Sequence, residues 1–135
     1  MATTNFSPTL RNARGHAIID AIGTGGAGTI NFYTATRPAA GAAITSQTLL
    51  ATVECSLPAG TVTGGVVTFS AITDDILADK TGAATWVRVL DGNGDWVIDM
   101  DVTLTAGAGP VKMPSTQVYQ GGIVHFSSLV ITEGN

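Results

Sequence analysis

The stretch Thr85 to Leu104 constrains this chain more than any other: two alternating apolar–polar runs meet at Asp91-Gly92-Asn93-Gly94. Asp, Asn and Gly tolerate the positive φ that tight hairpin connections require, so the segment reads as a β-hairpin. An even-length loop sets Val87 and Val89 opposite the even-numbered Trp96, Ile98 and Met100, on a core face. Arg88 then lies on the other face, within reach of Asp95, Asp99 and Asp101. Trp86 and Leu90 share that second face. A large apolar ring therefore stands where a simple sandwich meets water, and it requires a cover. Two covers are available, the N-terminal helix described next or a neighbouring subunit, and the helix is preferred because it must dock somewhere.

The chain begins with a loose arm over residues 1–6. Ser7 and Pro8 form a helix start, a capping hydroxyl followed by a residue whose missing N–H costs nothing in the first turn. Leu10, Ala13, Ala17, Ile18, Ala21 and Ile22 recur at helical spacing and Gly23 stops the run, so a helix is predicted over 8–22. Gly15 weakens it by about 1 kcal/mol relative to Ala, which makes it dependent on docking. Gly23 to Gly28 matches G-x-G-x-x-G formally, but it follows a helix and leads into a strand, the reverse of a dinucleotide site. It reads as a mobile connector.

Strands are predicted at 30–36, 47–57 and 66–72, then the hairpin, then 111–113, 116–120 and 123–132, the last with a bulge at Ser127-Ser128. Residues 58–65 turn the chain. Asp74, Asp75 and Asp79 fall in a connector with room for one helical turn, and Thr105 to Pro110 breaks the sheet. With one helix and many short strands, a single all-β, mainly antiparallel domain is expected, a sandwich or jelly roll spanning 29–132.

The 135 residues carry six basic side chains and a net charge of −4, with 12% charged residues. Scattered Lys and Arg argue against nucleic-acid binding. Neither a basic leader nor about 18 uninterrupted apolar residues occur, so synthesis in the cytoplasm without a membrane span is expected. Cys55, the one cysteine, alternates onto an apolar face of its strand, as a small buried residue rather than a nucleophile. His16 and His125 lack the motifs of a catalytic site and read as structural. Asp91, Asn93 and Asp95 open like a calcium loop, but Trp96 and Val102 stand where an EF-hand needs Gly and Glu. Asp99 and Asp101 share a strand face, and Arg88 beside them makes an ion pair the plainer account than a catalytic carboxylate pair. No cofactor and no enzymatic activity are expected.

The phrases Phe32-Tyr33-Thr34-Ala35-Thr36-Arg37-Pro38, Ala84-Thr85-Trp86-Val87-Arg88-Val89-Leu90-Asp91 with Asp99-Met100-Asp101-Val102, and Gly121-Gly122-Ile123-Val124 resemble those of small virion proteins of tailed bacteriophages. The resemblance is to capsid decoration, or cement, proteins, and covers about 29–132. Where many relatives have Asp-Gly-Asp before the valine, this chain has Asp99-Met100-Asp101. The resemblance implies a jelly-roll-like β-sandwich on the outer face of the viral capsid, contacts to the major capsid protein, a homo-oligomer there, and no catalytic residues. Trp86, Arg88 and Arg37 are the expected interaction surface. The alternative is a carbohydrate-binding or adhesin-like sandwich of a phage tail or fibre, which would call for an aromatic platform.

Overall fold

A computed structural model describes residues 4–75, 77–125 and 128–132. Its elements are α1 (Pro8–Ile22), β1 (Thr29–Tyr33), β2 (Leu49–Glu54), β3 (Gly60–Thr63), β4 (Val66–Phe69), β5 (Gly82–Ala83), β6 (Trp86–Leu90), β7 (Trp96–Leu104), β8 (Val111–Met113), β9 (Gln117–Val118) and β10 (Ser128–Thr132). Eight strands form one curled mixed sheet in the order β2-β1-β6-β7-β8-β10-β4-β3, and β5 pairs with β9 separately. The fold is mostly β with one helix, as the strand pattern predicts. The expected bulge at Ser127-Ser128 involves a residue outside the described ones.

The hairpin pairs Val87 with Met100, Arg88 with Asp99 and Val89 with Ile98, the expected parity. It reaches that parity differently. Leu90 pairs with Trp96, so the loop is odd, and a register shift beside Val89 leaves Val97 as the extra residue. The shift turns Trp96 out of the core: the ring expected beside Ile98 is 47% exposed on the Arg88 face. Asp91 caps the turn, its Oδ1 accepting from the N–H groups of Asn93 (2.8 Å) and Asp95 (3.0 Å). That carboxylate is committed to backbone geometry.

Several strands end earlier than their composition suggests. β1 stops at Tyr33 because Ala35 turns into the left-handed region at φ 66°, unusual for a residue with a Cβ. Where the pairing shifts between Phe32 and Tyr33 of β1, Leu50 is the extra residue of β2 and is buried; β2 ends at Glu54, so Leu57, expected on the core face, lies beyond the strand and is 61% exposed. Residues 58–65 hold more than a turn, since β3 pairs there with β4 as a hairpin through Gly64 and Gly65, both at positive φ. The Asp74–Asp79 connector has no helical turn among its described residues. It runs along the free edge of β2, where Leu50 O and Glu54 O accept from Asp79 N and Thr73 N. The Asp75 carboxylate accepts from Thr52 N at 3.0 Å. An otherwise open edge is thereby closed.

Residues 105–110 break the strand but not the sheet. The chain hooks back so that Val111 starts parallel to β7, opposite Val102. Parallel neighbours usually need a connection of a dozen or more residues. This short hook closes because Gly107 and Gly109 pass so near Thr103 that a Cβ on either would lie within 2.7 Å of its side chain.

The helix has the expected ends, with Ser7 Oγ accepting from Leu10 N at 3.1 Å and Gly23 as C-cap. Its buried face is different. Gly15, Ile19 and Ile22 face inward, whereas Leu10, Ala13, Ala17 and Ala21 are exposed. The helix docks on β3 and β4, and Gly15 is where it comes closest: a Cβ there would stand 2.8 Å from Val62 Cγ1. The glycine expected to weaken the helix is thus the one that lets it pack. In the arm ahead of it, Phe6 lies under the Arg14 guanidinium, 4.8 Å from ring centroid to Cζ.

The Gly23–Gly28 segment is a docked loop rather than a free connector. Gly92 N donates to Thr24 O at 2.8 Å, and a Cβ on Gly92 would come 2.4 Å from Gly26 N. Backbone lies on backbone, which is why glycines occupy both partners. Gly28 sits where the helix end meets β6; a Cβ there would be 2.6 Å from Leu90 O and 2.6 Å from Ile22 Cγ2. Gly28→Ala should therefore lower unfolding free energy by about 1–3 kcal/mol in urea titration, the usual cost of overpacking. An unchanged midpoint would show that the helix end can shift away.

Candidate functional site

Both faces of β6 are covered. Val87 and Val89 point into the core with Ile30, Phe32 and Met100. The opposite face carries a polar row across four strands: Thr52 Oγ1 donates to Asn31 Oδ1 at 2.8 Å, Asn31 stands opposite Arg88, and Arg88 pairs with Asp99. The last link is bidentate, Nε to Oδ1 at 2.8 Å and Nη2 to Oδ2 at 2.9 Å. It is also buried, with the side chains 9% and 3% exposed.

Residues 34–48 form an Ω-type loop, here called the strap, that folds over this face. Thr34 N bonds Thr48 O at 3.1 Å and Thr48 N bonds Thr34 Oγ1 at 3.1 Å, which closes its base. Gln47 braces the interior, its Nε2 donating to Thr36 O and its Oε1 accepting from Thr45 N. The strap is fastened at Asp99: Gly41 N donates to Oδ2 at 3.2 Å, and Arg37 Nη1 donates to the Asp99 carbonyl at 3.3 Å. Arg37 Nε also faces Asp101 Oδ1 at 3.6 Å, a contact in solvent.

Trp86 is covered from within this arrangement. Its ring stacks on Tyr33 at 4.7 Å and 16°, the Arg88 guanidinium lies 5.4 Å from its centroid, and Nε1 donates to Thr34 O at 3.2 Å. It is 1% exposed. The helix expected to shield it docks elsewhere, on β3 and β4. Trp86 and Arg88 are therefore not surface groups, and of the three expected interaction residues only Arg37 reaches solvent.

Electrostatics follow from the burial. Burial alone would raise the Asp99 carboxyl, but hydrogen bonds from Arg88 and Gly41 N, the Arg88 charge and a hydrogen bond from Trp96 outweigh it and hold it below the ordinary carboxylate range. Arg88 is raised chiefly by its hydrogen bond to Asp99, against a lowering by burial. Burial, aided by the Glu54 charge, pushes the Cys55 thiol up to about 11, which leaves no thiolate near neutral pH. His16 is exposed, and His125 Nδ1 stands 3.4 Å from Asp74 Oδ1 at the surface. Among the described residues no group of three or more His, Cys, Asp or Glu could hold a metal ion, and no helix is long and apolar enough to cross a membrane.

The residue that sequence reasoning misplaced is Trp96. Between the strap, Arg37–Ala40, and the start of β7, Trp96–Asp99, lies an open groove of about 510 Å³. The Trp96 ring forms part of one wall. No local signal distinguishes Trp96 from Ile98 as a core residue, because the register shift that turns it outward is not written in the alternation. No family model matches the chain, and no curated protein or solved structure is significantly similar to it.

Two outcomes follow for the buried face. Trp86→Ala should destabilise the isolated protein by about 3–5 kcal/mol, the usual cost of truncating a buried aromatic; a melting temperature close to wild type would place the ring outside the core. For Asp99 the folded pKa lies below the unfolded value of about 3.9. Its contribution is therefore complete above that value and is lost as pH falls through the lower folded one. Asp99→Asn should cost about 3–5 kcal/mol at neutral pH, since it leaves Arg88 buried without its counter-charge. The variant's acid stability profile should also be flatter than wild type below pH ~4; parallel profiles would refute the assignment.

Proposed function

We propose that this chain is a bacteriophage capsid decoration protein, a jelly-roll-like β-sandwich that binds the outer face of the major capsid protein shell and stabilises the head without catalysis. The reading rests on the resemblance carried by three sequence phrases, each of which forms a defined part of the fold. The first spans β1 and the start of the strap, the second spans β6 and the middle of β7, and Gly121–Val124 laces the Ala78 segment to the body.

The observation that supports a docking role best is a group of exposed apolar side chains on that laced segment. Leu77, Tyr119 and Ile123 are 69%, 66% and 70% exposed. Their backbones are tied together: Ala78 N donates to Gly122 O at 3.0 Å, Gly121 N to Ala78 O at 2.8 Å, and Gly122 N to Tyr119 O at 2.8 Å. Large apolar groups held on a braced backbone lose little conformational freedom on binding, which favours a contact repeated many times by capsid symmetry.

Electron microscopy of the native particle tests the reading directly, with density for this chain expected on the head surface; density confined to the tail, or none, would sink it. The double variant Tyr119→Ala, Ile123→Ala should keep its unfolding free energy within about 0.5 kcal/mol of wild type, as exposed substitutions do. Its occupancy on heads should fall severalfold, and full occupancy would move the contact elsewhere.

A further inference from the structure

The groove beside the strap goes beyond the capsid reading and stands without it. Trp96 is backed on one side: a Cβ on Gly41 would lie 2.8, 2.8 and 3.0 Å from its Cε3, Cζ3 and Cδ2. Near-equal distances to three adjacent ring atoms mean that Gly41 approaches over the ring and not at its rim. Gly41 adopts φ 70°, so the strap is shaped to permit that approach. With Gly41 over one face, the residue still keeps 47% of its surface exposed. An indole held flat against a glycine, its position fixed by a strand and a latched loop, is a rigid platform.

Arg37 lines the same groove as Trp96, and Asp101 stands beside Arg37. The Arg37 and Asp101 side chains are 41% and 60% exposed and lie 3.6 Å apart at their nearest atoms. They supply donors and acceptors side by side with no net charge between them. Pro38, Ala39, Ala40, Val97 and Ile98 supply apolar walls, and the remaining lining residue, Asp99, has its carboxylate engaged by Arg88 and Gly41 N. At about 510 Å³ the groove falls within the size range of small-ligand sites.

We infer that this groove binds a neutral pyranose unit of a saccharide. A sugar ring has an apolar C–H face that lies flat on an indole, and vicinal hydroxyls at its edge that need adjacent donors and acceptors. Arg37 donates in a planar fork and Asp101 accepts, which matches neighbouring hydroxyls. A phosphate or other polyanion is disfavoured by Asp99 in the lining, by Asp101 beside Arg37 and by the chain's charge of −4. A purely apolar ligand would leave the two charged groups desolvated without partners.

The two tryptophans make the test selective, because Trp86 is buried with Nε1 bonded to Thr34 O and only Trp96 is open to added solute. The full chain is titrated with the methyl pyranosides of glucose, mannose, galactose and N-acetylglucosamine into the millimolar range, following the two indole N–H resonances. At least one glycoside should shift the Trp96 resonance saturably and leave that of Trp86 in place. Trp96→Ala should abolish the binding seen by backbone resonances, and Arg37→Met should weaken it at least tenfold. Absence of a saturable shift with all four glycosides overturns the inference. So does unchanged binding in Trp96→Ala. Loss of head occupancy in Trp96→Ala without any glycoside response would assign the groove to the capsid contact and overturn it as well.

Discussion

The bidentate Arg88–Asp99 pair is the interaction on which the outer half of the molecule depends. A buried ion pair is not by itself a strong source of stability, because desolvation offsets most of the attraction. Its consequence here is positional. Arg88 is held beneath Asn31 and beside Trp86, and Asp99 presents its second oxygen and its carbonyl upward to the strap. One carboxylate thus joins two sheet strands and a thirteen-residue excursion that has no regular structure of its own between Thr34 and Thr48. Buried polar groups must be satisfied together, so loss of any member leaves the others costly.

The strap decides which of the two tryptophans is structural. It contributes the Thr34 carbonyl that takes the Trp86 indole N–H, and it supports Trp96 through Gly41. Trp86 is thereby sealed, while Trp96 is held against Gly41 and stays 47% exposed. The large apolar side chains left exposed beyond the strap include Trp96 at the groove and Leu77, Tyr119 and Ile123 on the braced loops. With 12% charged residues the chain displays these groups without strong long-range fields.

Close approach of a neighbour recurs at several glycines of this chain. Gly15 admits Val62 to the helix, Gly92 lies on Gly26, and Gly107 and Gly109 wrap Thr103 to allow a parallel pairing across a short hook. In the sequence these residues look like flexibility. In the folded chain they are contact points, since the absence of a Cβ is as useful for packing as for conformational freedom. The same signal has two meanings, and only a neighbour supplied by the tertiary fold selects between them.

Local physics in the sequence determined the helix and its caps, the β-rich class, the hairpin and the face on which Arg88 meets Asp99. These follow from periodicity and turn chemistry within a few residues of one another. Burial of Cys55 was equally legible from alternation. The tertiary structure alone decided the outward turn of Trp96, the cover over Trp86, the buried face of the helix and the parallel entry of β8. Each of these depends on a partner distant in sequence or on a single-residue register shift, and a shift of one residue exchanges the two faces of a strand without changing its composition. That is why the sequence placed Trp86 at the surface and Trp96 in the core, the reverse of what the fold does with them.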